Sequence, residues 1–157
     1  MPEEIERKFL VKGDSWRKLA QPELFRQGYL AASGNCLVRL RTEGNRGVLT
    51  IKGKRRGIAG SEFEYEIPLA DCEAMLSSLA LPGIIEKRRY RIFFEGDEWV
   101  IDEFLGENSG LIVAEIELSS ETQSFAKPDW VGEEVSLDSR YTNYSLSQLP
   151  FSRWQQP

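Results

Sequence analysis

The sequence contains no histidine. That excludes every scheme built on an imidazole base, an imidazole-activated serine or a histidine metal ligand. Cysteine is scarce. Cys36 and Cys72 are the only two, too few for a disulfide framework or a thiolate metal cluster, and they read as reduced thiols of a cytoplasmic protein. No apolar run approaches the ~18 residues that a membrane helix needs. The opening MPEEIERKF lacks the basic segment and apolar core of a signal peptide. Positive charge is not in excess either: 20 Lys and Arg stand against 25 Asp and Glu, a formal net charge of −5. A general nucleic-acid-binding surface is therefore disfavoured, while a local basic cavity is not.

What is present is a globular composition, 41% hydrophobic and 29% charged over 157 residues. That is the size of one domain, expected to span 1–157. Hydrophobic alternation with period two dominates. Strands are expected at Ile5–Val11, Phe25–Ala31, Cys36–Thr42, Val48–Lys54, Glu62–Ile67, Ile84–Glu95, Glu98–Phe104 and Leu111–Leu118. Short helices are expected at Ser15–Ala20 behind Asp14, at Asp71–Leu81 with an apolar stripe of Met75, Leu76 and Leu79, from Ser120 to Ala126, and from Asp138 to Leu146. Glu43–Gly47 reads as a hairpin turn, and Arg55–Ser61 as a mobile basic loop. Trp16, Trp99, Trp130 and Trp154 read as packing residues, as do Phe94 and Phe104.

The chemistry lies in the polar faces of these strands. They are nearly pure charge. Lys8, Arg39, Arg41, Lys52, Lys54, Lys87, Arg89 and Arg91 supply eight cations, and Glu4, Glu6, Glu62, Glu64, Glu66, Asp102, Glu115 and Glu117 supply eight carboxylates. On one strand alone, alternating charge reads as a solvated face. Repetition across seven segments, largely one sign per strand, points elsewhere. A closed antiparallel barrel turns one face of every strand inward. With the charged face inward, it encloses an ionic tunnel, which is costly unless ligand or partner charges engage it. Clustered Arg and Lys suit phosphate oxygens, and clustered carboxylates suit Mg²⁺ or Mn²⁺.

Glu4-Ile-Glu-Arg-Lys8 carries a resemblance to the CYTH superfamily, the triphosphate tunnel metalloenzymes, whose hallmark is Glu-x-Glu-x-Lys. The resemblance continues in order through Val38–Arg41, Leu49–Lys54, Glu64–Glu66, Glu86–Tyr90, Trp99–Asp102, Ala114–Glu117 and Asp138–Tyr141. It implies a mainly β fold, an eight-stranded antiparallel barrel forming a charged tunnel with short peripheral helices. It also implies that Lys8, Arg39, Arg41, Lys52, Lys54, Lys87 and Arg89 hold a triphosphate. Glu4, Glu6, Asp102, Glu115 and Glu117 would bind or orient Mg²⁺ or Mn²⁺. Glu64 and Glu66 would support them, and Arg140 would help close the tunnel beside Tyr141. Relatives often carry Arg where this chain has Glu62, a gap that Arg55 or Arg56 would have to fill.

The expected activity is divalent-metal-dependent hydrolysis of tripolyphosphate to pyrophosphate and phosphate. Lys8, Lys52 and Lys87 are the catalytic cations, and Glu62, Glu64 or Glu66 is the base. An alkaline optimum is expected from the abundance of Lys and the lack of His. The alternatives are a class IV-type adenylate cyclase, a nucleoside or thiamine triphosphatase, and a non-catalytic polyphosphate- or nucleotide-binding module. Outward apolar pairs such as Ile5/Phe9 and Leu49/Ile51 suggest a homodimer. The expected partner is otherwise a small triphosphate, with no nucleic acid and no membrane.

Overall fold

A computed structural model describes residues 2–154; Met1 and residues 155–157, part of the expected domain, lie outside the described residues. The strands are β1 (Glu3–Val11), β2 (Glu23–Ala32), β3 (Cys36–Glu43), β4 (Arg46–Gly53), β5 (Ala59–Ile67), β6 (Ile85–Phe94), β7 (Asp97–Phe104), β8 (Ile112–Leu118) and β9 (Val131–Glu134). Two short helices join them, α1 (Leu69–Ser78) and α2 (Asn143–Gln148). Each expected strand is present within a few residues of its expected ends.

Antiparallel pairing runs in the order β5-β4-β3-β2-β6-β7-β8-β1. The start of β1 then pairs back onto β5 through Glu3↔Ser61, Glu4↔Gly60 and Ile5↔Ala59, which closes an eight-stranded barrel. The short β9, absent from the sequence expectation, takes the far end of β1 through Phe9↔Glu134 and Val11↔Val131.

Closure turns the charged faces inward, so much of the apolar core lies outside the barrel wall. Phe9, Trp99, Ile101, Ile116 and Tyr90 face outward and are sealed by Trp16, from the 3-10 turn Ser15–Leu19, and by Trp130 with Phe125. Trp99 meets Phe9, Phe125 and Trp130 at ring-centroid distances of 5.5–5.7 Å. On the opposite flank α1 packs Cys72 and Leu76 against Leu40. Gly28 permits close approach there: a Cβ would stand 2.6 Å from Ile84 Cδ1 and 3.1 Å from Leu76 Cδ2. At one end the inward face changes from charged to apolar. Ile85, Phe104 and Val113 meet Tyr141 and Leu146 there, so the chain around α2 plugs the barrel.

Several expectations change. Residues 120–126 form no helix; Phe125 is instead drawn onto the outer core by its aromatic contacts. The α1 stripe runs through Cys72 and Leu76, and Leu79 is 62% exposed because the helix ends before it. The loop after β4 is a tight turn closed by an Arg56↔Ala59 bridge. Asp14 makes no side-chain cap, whereas Asp138 accepts from the Arg140 N–H and Thr142 caps α2. The ground for a dimer also shifts: Ile5 and Phe9 are buried within the chain itself. Among the described residues no helix is long and apolar enough to cross a membrane.

Candidate functional site

The barrel encloses a cavity of about 270 Å³. Its lining comprises seven cations (Arg39, Arg41, Arg46, Lys52, Lys87, Arg89, Arg91), seven carboxylates (Glu4, Glu6, Glu43, Glu62, Glu64, Glu115, Glu117) and Asn143. Period two in the strands explains this: each contributes alternate residues to one lumen. A smaller space of about 150 Å³ continues past Lys52, Arg39 and Glu6 to Lys8, Tyr29 and Tyr144. Beyond it, Lys52, Arg55, Lys54 and Tyr144 line an opening beside the β2–β3 turn.

The carboxylates gather where β1, β5 and β8 meet. Glu4 takes Lys52 Nζ at 3.2 Å and an Arg55 guanidinium N–H at 3.1 Å. Burial is the largest influence and raises its pKa, but Lys52 and a hydrogen bond with Glu62 together bring the net displacement downward. For Glu6 the relief from Lys8 and Lys52 is too small. Burial, with Glu115 and Glu4 beside it, pushes its carboxyl up to about 8. Glu115 goes the other way, to about 2: its burial is the largest single influence, but Lys8 at 3.7 Å, Arg89 and a hydrogen bond with Glu6 together outweigh it. Glu62 is held up at about 7 by burial and by its hydrogen bond with Glu4, although Lys52 Nζ lies 3.4 Å away. Glu117 is raised by burial and its acidic neighbours.

The cations gather on β3 and β6, the two neighbours of β2, with β7 beside β6. Arg89 makes a bidentate pair with Asp102, both contacts at 2.8 Å, and Lys87 Nζ reaches the same carboxylate at 2.9 Å. Burial opposes ionisation of Asp102, but Arg89 and Lys87 together hold its pKa far below the usual range. Lys87 is driven down to about 7 by burial, with Arg89 and Arg41 adding to the effect against Asp102. Its ammonium also donates to Asn143 Oδ1 at 3.0 Å. Arg41 is lowered to about 10 by burial, Arg39 and Arg89, and rests on Glu43 at 2.7 Å. Phe25 lies under both Arg41 and Arg89, each guanidinium 4.9 Å from its ring centroid. Arg39 reaches Thr50 Oγ1 at 3.3 Å and Glu64 at 3.8 Å.

The structure thus brings together Glu4, Glu6, Arg39, Arg41, Lys52, Glu62, Glu64, Lys87, Arg89, Glu115 and Glu117 around one cavity, with Lys8 in its inner extension. Asp102, expected among the metal ligands, lies in the wall and is bound to two cations. Lys54 is exposed beyond the end of β4. Glu66 is exposed and pairs with Arg46 at 3.5 Å. Arg140 is exposed, folded back on Asp138 at 2.7 Å and stacked over Trp154, away from the cavity. Of the two loop arginines, Arg55 lines the inner space, and Arg56 pairs outward with Glu3. Glu43, Thr50 and Asn143 belong to the site although nothing singled them out in the sequence. Glu43 did continue the Arg39–Arg41 alternation, which was the available signal.

Among the described residues no group of three His, Cys, Asp or Glu side chains is disposed to hold a metal ion. The carboxylates instead rest on Lys8, Lys52 and Arg55. Their chemistry still suits a hard divalent cation, being oxygen alone. Glu6, hydrogen-bonded to Glu115 and pressed by neighbouring carboxylates, is a group whose charge a cation would relieve.

The family described as the CYTH domain matches residues 2–150. An inorganic triphosphatase of Acetivibrio thermocellus is 46% identical over 156 residues, covering 99% of this chain and all of that protein. An inorganic triphosphatase of Nitrosomonas europaea is 37% identical over 148 residues, covering 92% of this chain and 96% of that protein. A crystal structure of an inorganic triphosphatase superposes with a TM-score of 0.63 at 34% identity, covering 91% of this chain and 96% of that one.

Proposed function

This chain belongs to the CYTH domain family, and from that premise we propose that it is an inorganic triphosphatase, cleaving tripolyphosphate to pyrophosphate and phosphate. The observation that carries the reading is the barrel cavity of about 270 Å³ lined by seven cations and seven carboxylates. A linear polyanion is the ligand whose charge answers that cluster of cations.

In this reading Arg39, Arg41, Lys52, Lys87 and Arg89 neutralise the phosphoryl oxygens, with Lys8 at the inner end. Enclosure makes each contact stronger than it would be in water. Asp102 keeps Lys87 and Arg89 aimed into the lumen. Lys87, lowered to about 7 by burial with Arg89 and Arg41, gains protonation as phosphate charge arrives. Glu6, Glu115 and Glu117 would hold Mg²⁺ or Mn²⁺, with Glu4 beside them. The ion, when bound, supplies Lewis-acid polarisation of a phosphoryl oxygen. Glu62, raised to about 7, is the carboxylate best tuned to accept a proton from the attacking water near neutral pH. Glu66 stands outside the cavity and is not used.

The test is phosphate release from tripolyphosphate, ATP and thiamine triphosphate with Mg²⁺, with Mn²⁺ and with EDTA, in the parent, Lys52→Ala and Glu4→Ala proteins. The expected result is metal-dependent cleavage of tripolyphosphate, reduced about 10²-fold or more in both variants, the scale of losing one charge-stabilising group. Cyclic AMP with pyrophosphate from ATP would make the protein a cyclase, and tight binding without turnover would make it a sensor.

A further inference from the structure

Among the described residues, four buried side-chain atoms find no hydrogen-bond partner: Gln27 Nε2, Gln27 Oε1, Arg39 Nε and Trp99 Nε1. Trp99 belongs to the outer core. The other three lie together on the inward face of β2 and β3. Gln27 has no solvent exposure and stands opposite Arg41 on β3 and Ile85 on β6. Arg39 lies one pleat from Arg41, and Lys87 one pleat from Ile85. Two residues before Gln27 on the same face, Phe25 lies beneath the guanidinium groups of Arg41 and Arg89.

A buried amide with neither end bonded is among the costlier things a protein retains. A methionine or leucine would fill the same place without that cost. The amide is a neutral polar group beside these cations, as Thr50 is beside Arg39, but unlike Thr50 it has no partner. Another cation would add to the repulsion that already lowers Arg41 and Lys87, and a carboxylate would compete with phosphate for the arginines.

We infer that Gln27 is a positioning residue for Arg39 and Arg41, satisfied only when the cavity holds a polyanion. In the empty protein Arg41 rests on Glu43, and Arg39 on Thr50 and Glu64. A bound phosphate chain draws the guanidinium groups away from these acids. The Arg39 Nε–H, which has no partner, and the Arg41 Nε–H, released from Glu43, then turn to Gln27 Oε1 behind them. The free protein therefore carries unsatisfied groups that the complex satisfies, and that difference appears as affinity. The inference rests on the triphosphatase reading for its ligand but not for its chemistry, since it concerns binding.

The experiment compares parent, Gln27→Met and Gln27→Glu proteins. Calorimetry with tripolyphosphate in EDTA gives Kd, thermal unfolding without ligand gives Tm, and steady-state kinetics give KM and kcat. Gln27→Met is expected to keep or raise Tm while weakening tripolyphosphate binding about tenfold, the equivalent of one hydrogen bond to a charged group. Its KM should rise with little change in kcat. Gln27→Glu is expected to raise Tm further, by pairing with the arginines in the empty protein, and to bind more weakly still. Parent-like Kd in Gln27→Met overturns the inference. So does a fall in Tm alongside the loss of affinity, because a merely structural amide behaves that way. Should Gln27→Met fail to fold, Gln27→Glu decides on the same Kd criterion. A parent that binds tripolyphosphate without hydrolysing it refutes the triphosphatase reading and leaves this inference to its own variants.

Discussion

Asp102 holds two buried cations with one carboxylate, and that arithmetic fixes its role. Removing its charge while keeping its shape, in Asp102→Asn, leaves Lys87 and Arg89 facing each other uncompensated. The expected cost is about 3–5 kcal/mol of stability, the usual price of orphaning a buried ion pair, read from denaturant unfolding. A loss under 1 kcal/mol would show that Asp102 is not their counter-charge. The family resemblance placed Asp102 among the residues that bind or orient the metal. What the sequence could not display is the register Arg89↔Asp102, which sets an arginine directly beside it. Gln27 was hidden for a related reason: an uncharged residue in a strand reads as filler until its missing partners are counted.

At the scale of elements, strands were legible and irregular segments were not. Period two needs only local chemistry, and each predicted strand lies close to its observed place. β9 and residues 120–126 depend on what they cover: the rim of β1 and the Phe9–Trp99 surface. The plug around α2 depends on a contact far away in sequence. Gly83, at φ +99°, leaves no room for a side chain, since a Cβ would stand 2.0 Å from the Ser147 carbonyl oxygen at the end of α2. Gly83→Ala is expected to push α2 outward, costing about 2–4 kcal/mol from positive-φ strain and steric overlap. Because Asn143 at the start of α2 accepts from Lys87, KM for tripolyphosphate should rise with it. A variant as stable as the parent would mean that this seam yields freely.

The whole molecule behaves as a charged shell awaiting its ligand. Tripolyphosphate at a hundredfold excess over Kd should stabilise the fold by about 2.7 kcal/mol, and hence raise Tm by about 5–10 °C for a chain of this size. A thermal shift assay that shows no rise would contradict binding in the barrel. The pH dependence has a sign that can be worked out. Glu6, raised from 4.5 to about 8, and Glu62, raised to about 7, hold protons more tightly folded than unfolded. Their contribution is complete below pH 4.5 and is lost as pH climbs through 7 and 8. Lys87, lowered from 10.5 to about 7, has the opposite slope, restoring stability between pH 7 and 10.5. In EDTA and without phosphate, Tm should therefore fall from pH 5 to about 7, hold level to about 8 where Glu6 and Lys87 offset each other, and recover above that as Lys87 alone contributes. A Tm that rises steadily from pH 5 to 8 would place the protons elsewhere.

The sequence by itself determined which faces of which strands are ionic, because side-chain alternation is a property of the extended backbone and needs no partner. It determined the absence of imidazole chemistry as well. It carried the family resemblance through motifs in order, and with it the barrel and the triphosphate. Only the tertiary structure decided which charges share the cavity and which are already spent. The β1–β8 pairs Glu6↔Glu117 and Lys8↔Glu115 set Glu4 and Glu6 among the β8 carboxylates, the closing pairs onto β5 brought Glu62 to them, and lateral register set Asp102 against Arg89. Arg140, alike in charge, was left outside on Asp138. Charge sign is written along the chain, but the partner of each charge is set by strand register and closure, which long-range packing alone fixes.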